Sequence, residues 1–177
     1  MWAASALGLL FATLNPAVTD NRPEYQIKAA FLLNFTRFVD WPEPPNASDS
    51  FTLCVVGRDP FGATLDEVAG GQVVHGRPLL IRRNIGLAEL RSCRVVFLAS
   101  SEMYRSKEVI ESLTDCSVLT VGEARDFAVH GGVINFVMQD GKVRFQVNLA
   151  AAARAHLKVN FRLLQLAIIV TRGPDGQ

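Results

Sequence analysis

Three cysteines and three histidines are the side chains of this 177-residue chain best suited to nucleophilic, redox or metal chemistry. Cys54 sits inside Phe51-Thr-Leu-Cys-Val-Val56, and Cys93 opens Cys93-Arg-Val-Val-Phe-Leu98. Both runs are rich in Val, Leu and Phe and read as buried strands. Side by side in a parallel sheet, they can bring two thiols within bridging reach. In an oxidising compartment Cys54 and Cys93 can then form a disulfide that stabilises by about 2–4 kcal/mol. In a reducing one all three cysteines are ordinary buried thiols. Cys116 is the odd one, and Asp115 before it is a poor neighbour for a nucleophilic thiolate. No cysteine has metal-ligand spacing, and His75, His130 and His156 lie far apart, each without an acidic neighbour in sequence. No metal and no cofactor are therefore expected.

Other chemistries lack their motifs. No phosphate loop, no Gly-x-Gly-x-x-Gly turn and no Gly-x-Ser-x-Gly elbow is present. Gly57-Arg-Asp-Pro-Phe-Gly62 occupies the place of a ligand loop but reads as a turn, with Asp59 as helix cap and Pro60 as first helical residue. A phospho-accepting receiver domain needs acidic residues where early strands end, and here those ends are Val56-Gly57 and Leu98-Ala99-Ser100. The net charge is +1, from 18 basic and 17 acidic residues. No basic stripe marks a nucleic-acid partner. Function is expected to lie in binding, and the chain is not expected to be an enzyme.

The elements that would position such a surface alternate. The first is an apolar helix from Tyr25 to the Trp41-Pro42 stop. Ile27, Phe31, Phe35 and Phe38 recur on one face, with Leu32, Leu33 and Val39 widening it and Lys28, Asn34, Arg37 and Asp40 opposite. Strands at 51–56, 93–99 and 118–121 alternate with helices at about 61–68 and from Ser100-Ser101 to Leu113. A hairpin or kinked edge strand covers 72–82, a weak turn 87–90, and a short helix 122–127. Asp140-Gly141 between 133–138 and 142–147 is a hairpin signal. Val143, Phe145 and Val147 alternate with Lys142, Arg144 and Gln146, which leaves one face wet. Asn148 caps a helix to about 158, and Asn160 caps a last amphipathic segment, 161–170. The fold class is α/β: one mostly parallel sheet flanked by helices in Rossmann-like layering, with a C-terminal antiparallel hairpin at one edge.

Residues 1–20 read as a signal peptide or apolar leader, although no Lys or Arg precedes Arg22. Residues 21–172 then form a single domain and 173–177 a tail. The protein is expected to be exported.

Lys28-Ala-Ala-Phe31, Asn34-Phe35, Phe38-Val39 and Trp41-Pro42 together resemble the opening helix of the YfiR-like family. Gly131-Gly-Val-Ile-Asn-Phe136, Gly141-Lys-Val-Arg-Phe145, Asn148-Leu-Ala-Ala-Ala152 and the run 157–167 resemble its C-terminal signature. The resemblance covers about residues 24–170. It implies a periplasmic protein that represses an inner-membrane diguanylate cyclase by binding its periplasmic sensor domain. Cyclic di-GMP and biofilm formation are thereby lowered, and an outer-membrane lipoprotein sequesters the repressor. It also implies a homodimer and a redox-sensitive disulfide, which falls here on Cys54 and Cys93. A second family bridge has no counterpart, since Ala128 and Asn135 stand in that neighbourhood. The partner-binding surface is placed on Arg144, Gln146, Leu149, Ala152, Ala153 and Arg154. The alternative is a small-molecule sensor in which Phe31, Phe35, Phe38 and Trp41 line an aromatic pocket.

Overall fold

The computed structural model describes residues 22–42 and 49–171. The leader, most of the proline-rich connection after Pro42 and the tail lie outside the described residues. The chain runs α1 (Arg22–Phe38), β1 (Val39–Asp40), β2 (Phe51–Val56), α2 (Ala63–Ala69), β3 (Val73–Val74) and β4 (Arg77–Arg83). After a 3-10 turn, Leu87–Ser92, come β5 (Val95–Leu98), a second 3-10 turn (Ser100–Arg105), α3 (Ser106–Ser112) and β6 (Leu119–Gly122). The last elements are β7 (Ile134–Gln139), β8 (Lys142–Asn148), α4 (Leu149–Arg154), β9 (Lys158–Val159), α5 (Phe161–Leu164) and β10 (Ile168–Val170).

Among the described residues, eight strands form one sheet in the order β10-β8-β7-β6-β5-β2-β4-β3. From β4 to β7 all neighbours are parallel. β2, β5 and β6 are buried along their whole length, because helices or turns cover both of their faces. Leu53, Val55, Val95, Phe97 and Val121 join α1, α2 and α4 in one core layer. Cys54, Val56, Val96 and Leu98 join Leu90, Val109, Leu113 and Phe127 in a second layer on the opposite face. The fold is thus single-domain α/β, as the alternation implies.

The hairpin β7–β8 forms as expected, with Asp140 and Gly141 at φ 51° and 70° in the turn. Several local readings need correction. The buried stripe of α1 runs through Lys28, Ala29, Leu32, Phe35 and Thr36, while Ile27 is exposed. Asp59 does not cap α2: its Oδ1 accepts from the Phe61 N–H, and the helix starts later, at Ala63. Ser100 and Ser101 begin a 3-10 turn, and no side chain caps it. Gly122 ends β6, and the residues after it, 123–127, form a bend and turns rather than a helix. Asn148 does cap α4, accepting from the Ala151 N–H at 2.9 Å, but that helix ends at Arg154. His156 at φ 54° turns the chain so that Lys158–Val159 pairs with β1. The segment after Asn160 is one helical turn followed by β10, which lies parallel to β8 and becomes the sheet edge. The hairpin is therefore one strand in from that edge.

Candidate functional site at the carboxyl edge of the sheet

The parallel strands point their carboxyl ends at the first turns of α1, the end of such sheets where ligands bind. Glu123 follows directly on β6 and is held there from three sides. Its Oε2 accepts from Lys28 Nζ at 2.7 Å and from the Tyr25 hydroxyl at 3.2 Å. Its Oε1 accepts from the Ser100 N–H at 3.2 Å. Lys28 also pairs with Glu24 one helical turn earlier. Both partners of the Lys28–Glu123 pair are about as buried as the apolar core, with side chains 6% and 5% exposed. The Lys28 ammonium lies 4.5 Å from the centre of the Tyr25 ring and 5.8 Å from that of Phe136. Burial pushes the Tyr25 hydroxyl well above its usual pKa, and the charge and hydrogen bond of Glu123 push it further.

β6 and β7 pair only at Val121–Ile134 and Gly122–Asn135. Beyond Asn135, β7 runs on without β6 beside it. A cleft of about 330 Å³ opens there, lined by Glu24, Lys28, Glu123, Arg125, Asn135 and Met138 among others. The crossover that leads into β7 is locked by Phe127. A Cβ on Gly122 would lie 2.6 Å from that ring, and one on Gly132 only 2.1 Å from it. Only glycine fits at either position, which gives the Gly131-Gly132 signature a physical cause at its second residue.

Cys54 and Cys93 are bonded to each other, with Cα atoms 6.0 Å apart and a sequence separation of 39. The bridge is buried in the second core layer and ties β2 to the segment entering β5. Cys116 is free and half-buried. His75 Nε2 lies 3.1 Å from the Thr36 carbonyl oxygen, and His156 Nε2 lies 3.9 Å from Asp115 Oδ1.

The expected aromatic pocket is not one space. Phe31 and Phe35 stack with each other and pack against Phe136 and Phe145. Phe38 packs on the same core, and Trp41 sits edge-on to Phe51 beside a smaller cleft with His75. Of the expected partner surface, Arg144, Leu149, Ala153 and Arg154 are exposed and Gln146 half-buried. Ala152 is buried in the core and offers no surface. Sequence reasoning missed Lys28, Glu123 and Asn135. A lysine inside an apolar helix and a carboxylate just past a strand-ending glycine were the available signals.

A family model described as YfiR/HmsC-like matches residues 25–168. The chain belongs to the YfiR/HmsC-like family. The match takes in α1 from Tyr25 onward, strands β1 to β9 and both cysteines of the bridge. Among solved structures, this YfiR/HmsC-like chain is similar to a conserved domain protein from Vibrio cholerae O1 biovar eltor. The TM-score is 0.53 at 13% identity, over 83% of this chain and 60% of that one. It is also similar to the ABC domain in complex with L-Trp from Streptococcus pneumonia, with TM-score 0.50 at 10% identity, over 68% and 55% of the two chains. At such identities the likeness is one of fold. The YfiR/HmsC-like chain spans little more than half the length of either protein.

Proposed function

We propose that the chain is a periplasmic regulator that represses an inner-membrane diguanylate cyclase by binding its periplasmic sensor domain, lowering cyclic di-GMP and biofilm formation. Family membership supports the regulatory role. A buried disulfide suits an oxidising compartment. The observation that carries the binding role is the β10 edge. Among the described residues β10 has a strand on one side only, and Leu149, Phe161, Leu166 and Ile169 are all exposed on the elements around it. A free strand edge beside exposed apolar side chains is a template for pairing with another chain. Arg144 is exposed on β8, the strand next to β10. The same edge serves a homodimer, and release by an outer-membrane lipoprotein would act by competing for it.

The test is a pull-down with the cyclase's periplasmic domain. Arg144→Glu, Ala153→Arg and Phe161→Asp variants are expected to lose most of the binding. Retention of parental binding by all three would remove this surface from the account.

A further inference from the structure

The charges of this chain are unevenly placed. Six of its 18 Lys and Arg residues lie after Gly141, against one of its 17 Asp and Glu residues. Such asymmetry between ends marks an interaction surface rather than a fold requirement. Lys142, Arg144, Arg154, Lys158 and Arg162 are the charged side chains of β8, α4, β9 and α5, and all are basic. Earlier in the chain, cations are spent on partners: Lys28 on Glu24 and Glu123, Arg82 on Glu89, Arg83 on Asp59 and Asp66.

Lys158 stands opposite Asp40 in the β1–β9 register, and Lys142 follows the Asp140 turn. Arg144 has no such neighbour. Its cross-strand partner on β7 is Val137, and its exposed guanidinium forms no ion pair among the described residues.

The register next to β10 gives the surface two faces. Ile169 stands beside Val147, whose side chain joins the first core layer. α5 packs into that same layer through Leu163 and leaves Phe161 69% exposed. Ile168 stands beside Gln146 and so shares the opposite face with Arg144, two residues along β8.

We infer that the β10 edge takes an acidic partner strand: an extended segment with apolar side chains toward Ile169 and carboxylates toward Arg144. Main-chain pairing supplies affinity in such additions, and alternate side chains supply specificity. A second copy pairing there brings two sets of basic side chains together, so the acidic segment is the occupant the charges select. This rests on the β10 edge being the binding surface, and it holds for a partner other than a cyclase.

The test is isothermal titration of the purified chain with a soluble peptide of about eight residues that alternates glutamate and valine, and with its glutamine/valine and lysine/valine counterparts. Saturable binding of the acidic peptide is expected, with the glutamine peptide about fivefold weaker or more and no binding of the lysine peptide. Arg144→Gln changes an exposed side chain and is expected to weaken the acidic peptide about three- to fivefold while leaving the glutamine peptide unchanged. Arg58→Gln, an exposed arginine past the end of β2, is expected to alter neither. Equal binding of the acidic and glutamine peptides, or equal loss in Arg58→Gln and Arg144→Gln, would overturn the proposal. So would no binding of the acidic peptide by a chain that sediments as a dimer or as a monomer; the dimer would assign the edge to a second copy. Cyclase-domain capture in the pull-down together with any of these results removes the acidic strand alone, and peptide binding without capture removes the cyclase alone.

Discussion

Lys28 Nζ and Glu123 Oε2 meet at 2.7 Å across 95 residues of sequence, with both side chains almost wholly buried. The pair pins the first turns of α1 to the carboxyl end of β6. Taking two such charges out of water is costly, and only good geometry with further hydrogen bonds offsets it. Here Tyr25, the Ser100 N–H and Glu24 supply those contacts. Lys28→Ala leaves Glu123 buried without its cation. It is expected to destabilise by about 3–5 kcal/mol, seen as a lower urea midpoint with an unchanged slope. Lys28→Met, which keeps the volume, should still be destabilised while Glu123 remains, and Lys28→Met/Glu123→Leu should recover much of the loss.

Tyr25 gives a pH signature to the same cluster. Burial first, then the Glu123 charge and hydrogen bond, then Glu24, disfavour the tyrosinate and raise the folded-state pKa. A raised pKa adds stability that is fully present below the unfolded value of about 10 and is lost as pH climbs through the folded value. Urea midpoints measured from about pH 8 to about pH 11 should therefore fall more steeply for the parent than for Tyr25→Phe. Equal slopes would contradict the burial of this hydroxyl against Glu123.

The Cys54–Cys93 bridge closes a 39-residue separation. Loop-closure entropy for such a span corresponds to about 4 kcal/mol. Reduction, or Cys54→Ala/Cys93→Ala, is expected to lower stability by about 2–4 kcal/mol, read as a shift in denaturant midpoint. Both sulfurs are buried in the second core layer, so a reductant should act slowly on the folded chain. Rapid labelling of both residues in non-reduced native protein would contradict the bridge.

Phe127 fills the space between Gly122 and Gly132. Gly132→Ala is expected to cost about 1–3 kcal/mol through overpacking. Combined with Phe127→Leu, which vacates part of that space, the loss should be smaller than the sum of the two single losses. Additive losses would mean that the ring and the glycine do not interact.

How much of this was legible in the sequence follows from the range of each interaction. β2 and β5 were readable because strands covered on both faces are apolar throughout, and the hairpin because Asp140-Gly141 suits the left-handed turn it makes. The shortness of α4 was not readable, since the pairing of Lys158–Val159 with β1 overrides the helical preference of the alanine run. β10 was within reach: Ile168-Ile169-Val170 is β-branched throughout, which favours a strand over the end of a helix. The burial of Lys28 is not legible, because no local pattern in α1 announces a partner 95 residues away. The apolar face of α1 is legible, but the packing of Phe136 and Phe145 against Phe31 and Phe35 is not, because both rings arrive from the distant hairpin.

The most direct measurement is cyclic di-GMP in cells that carry the cyclase and express this chain in the periplasm. The expected result is a fall with the parent chain and no fall with Phe161→Asp or Arg144→Glu, both variants being present at parental levels. An unchanged cyclic di-GMP level with the parent, or an equal fall with the edge variants, would contradict repression through the β10 surface.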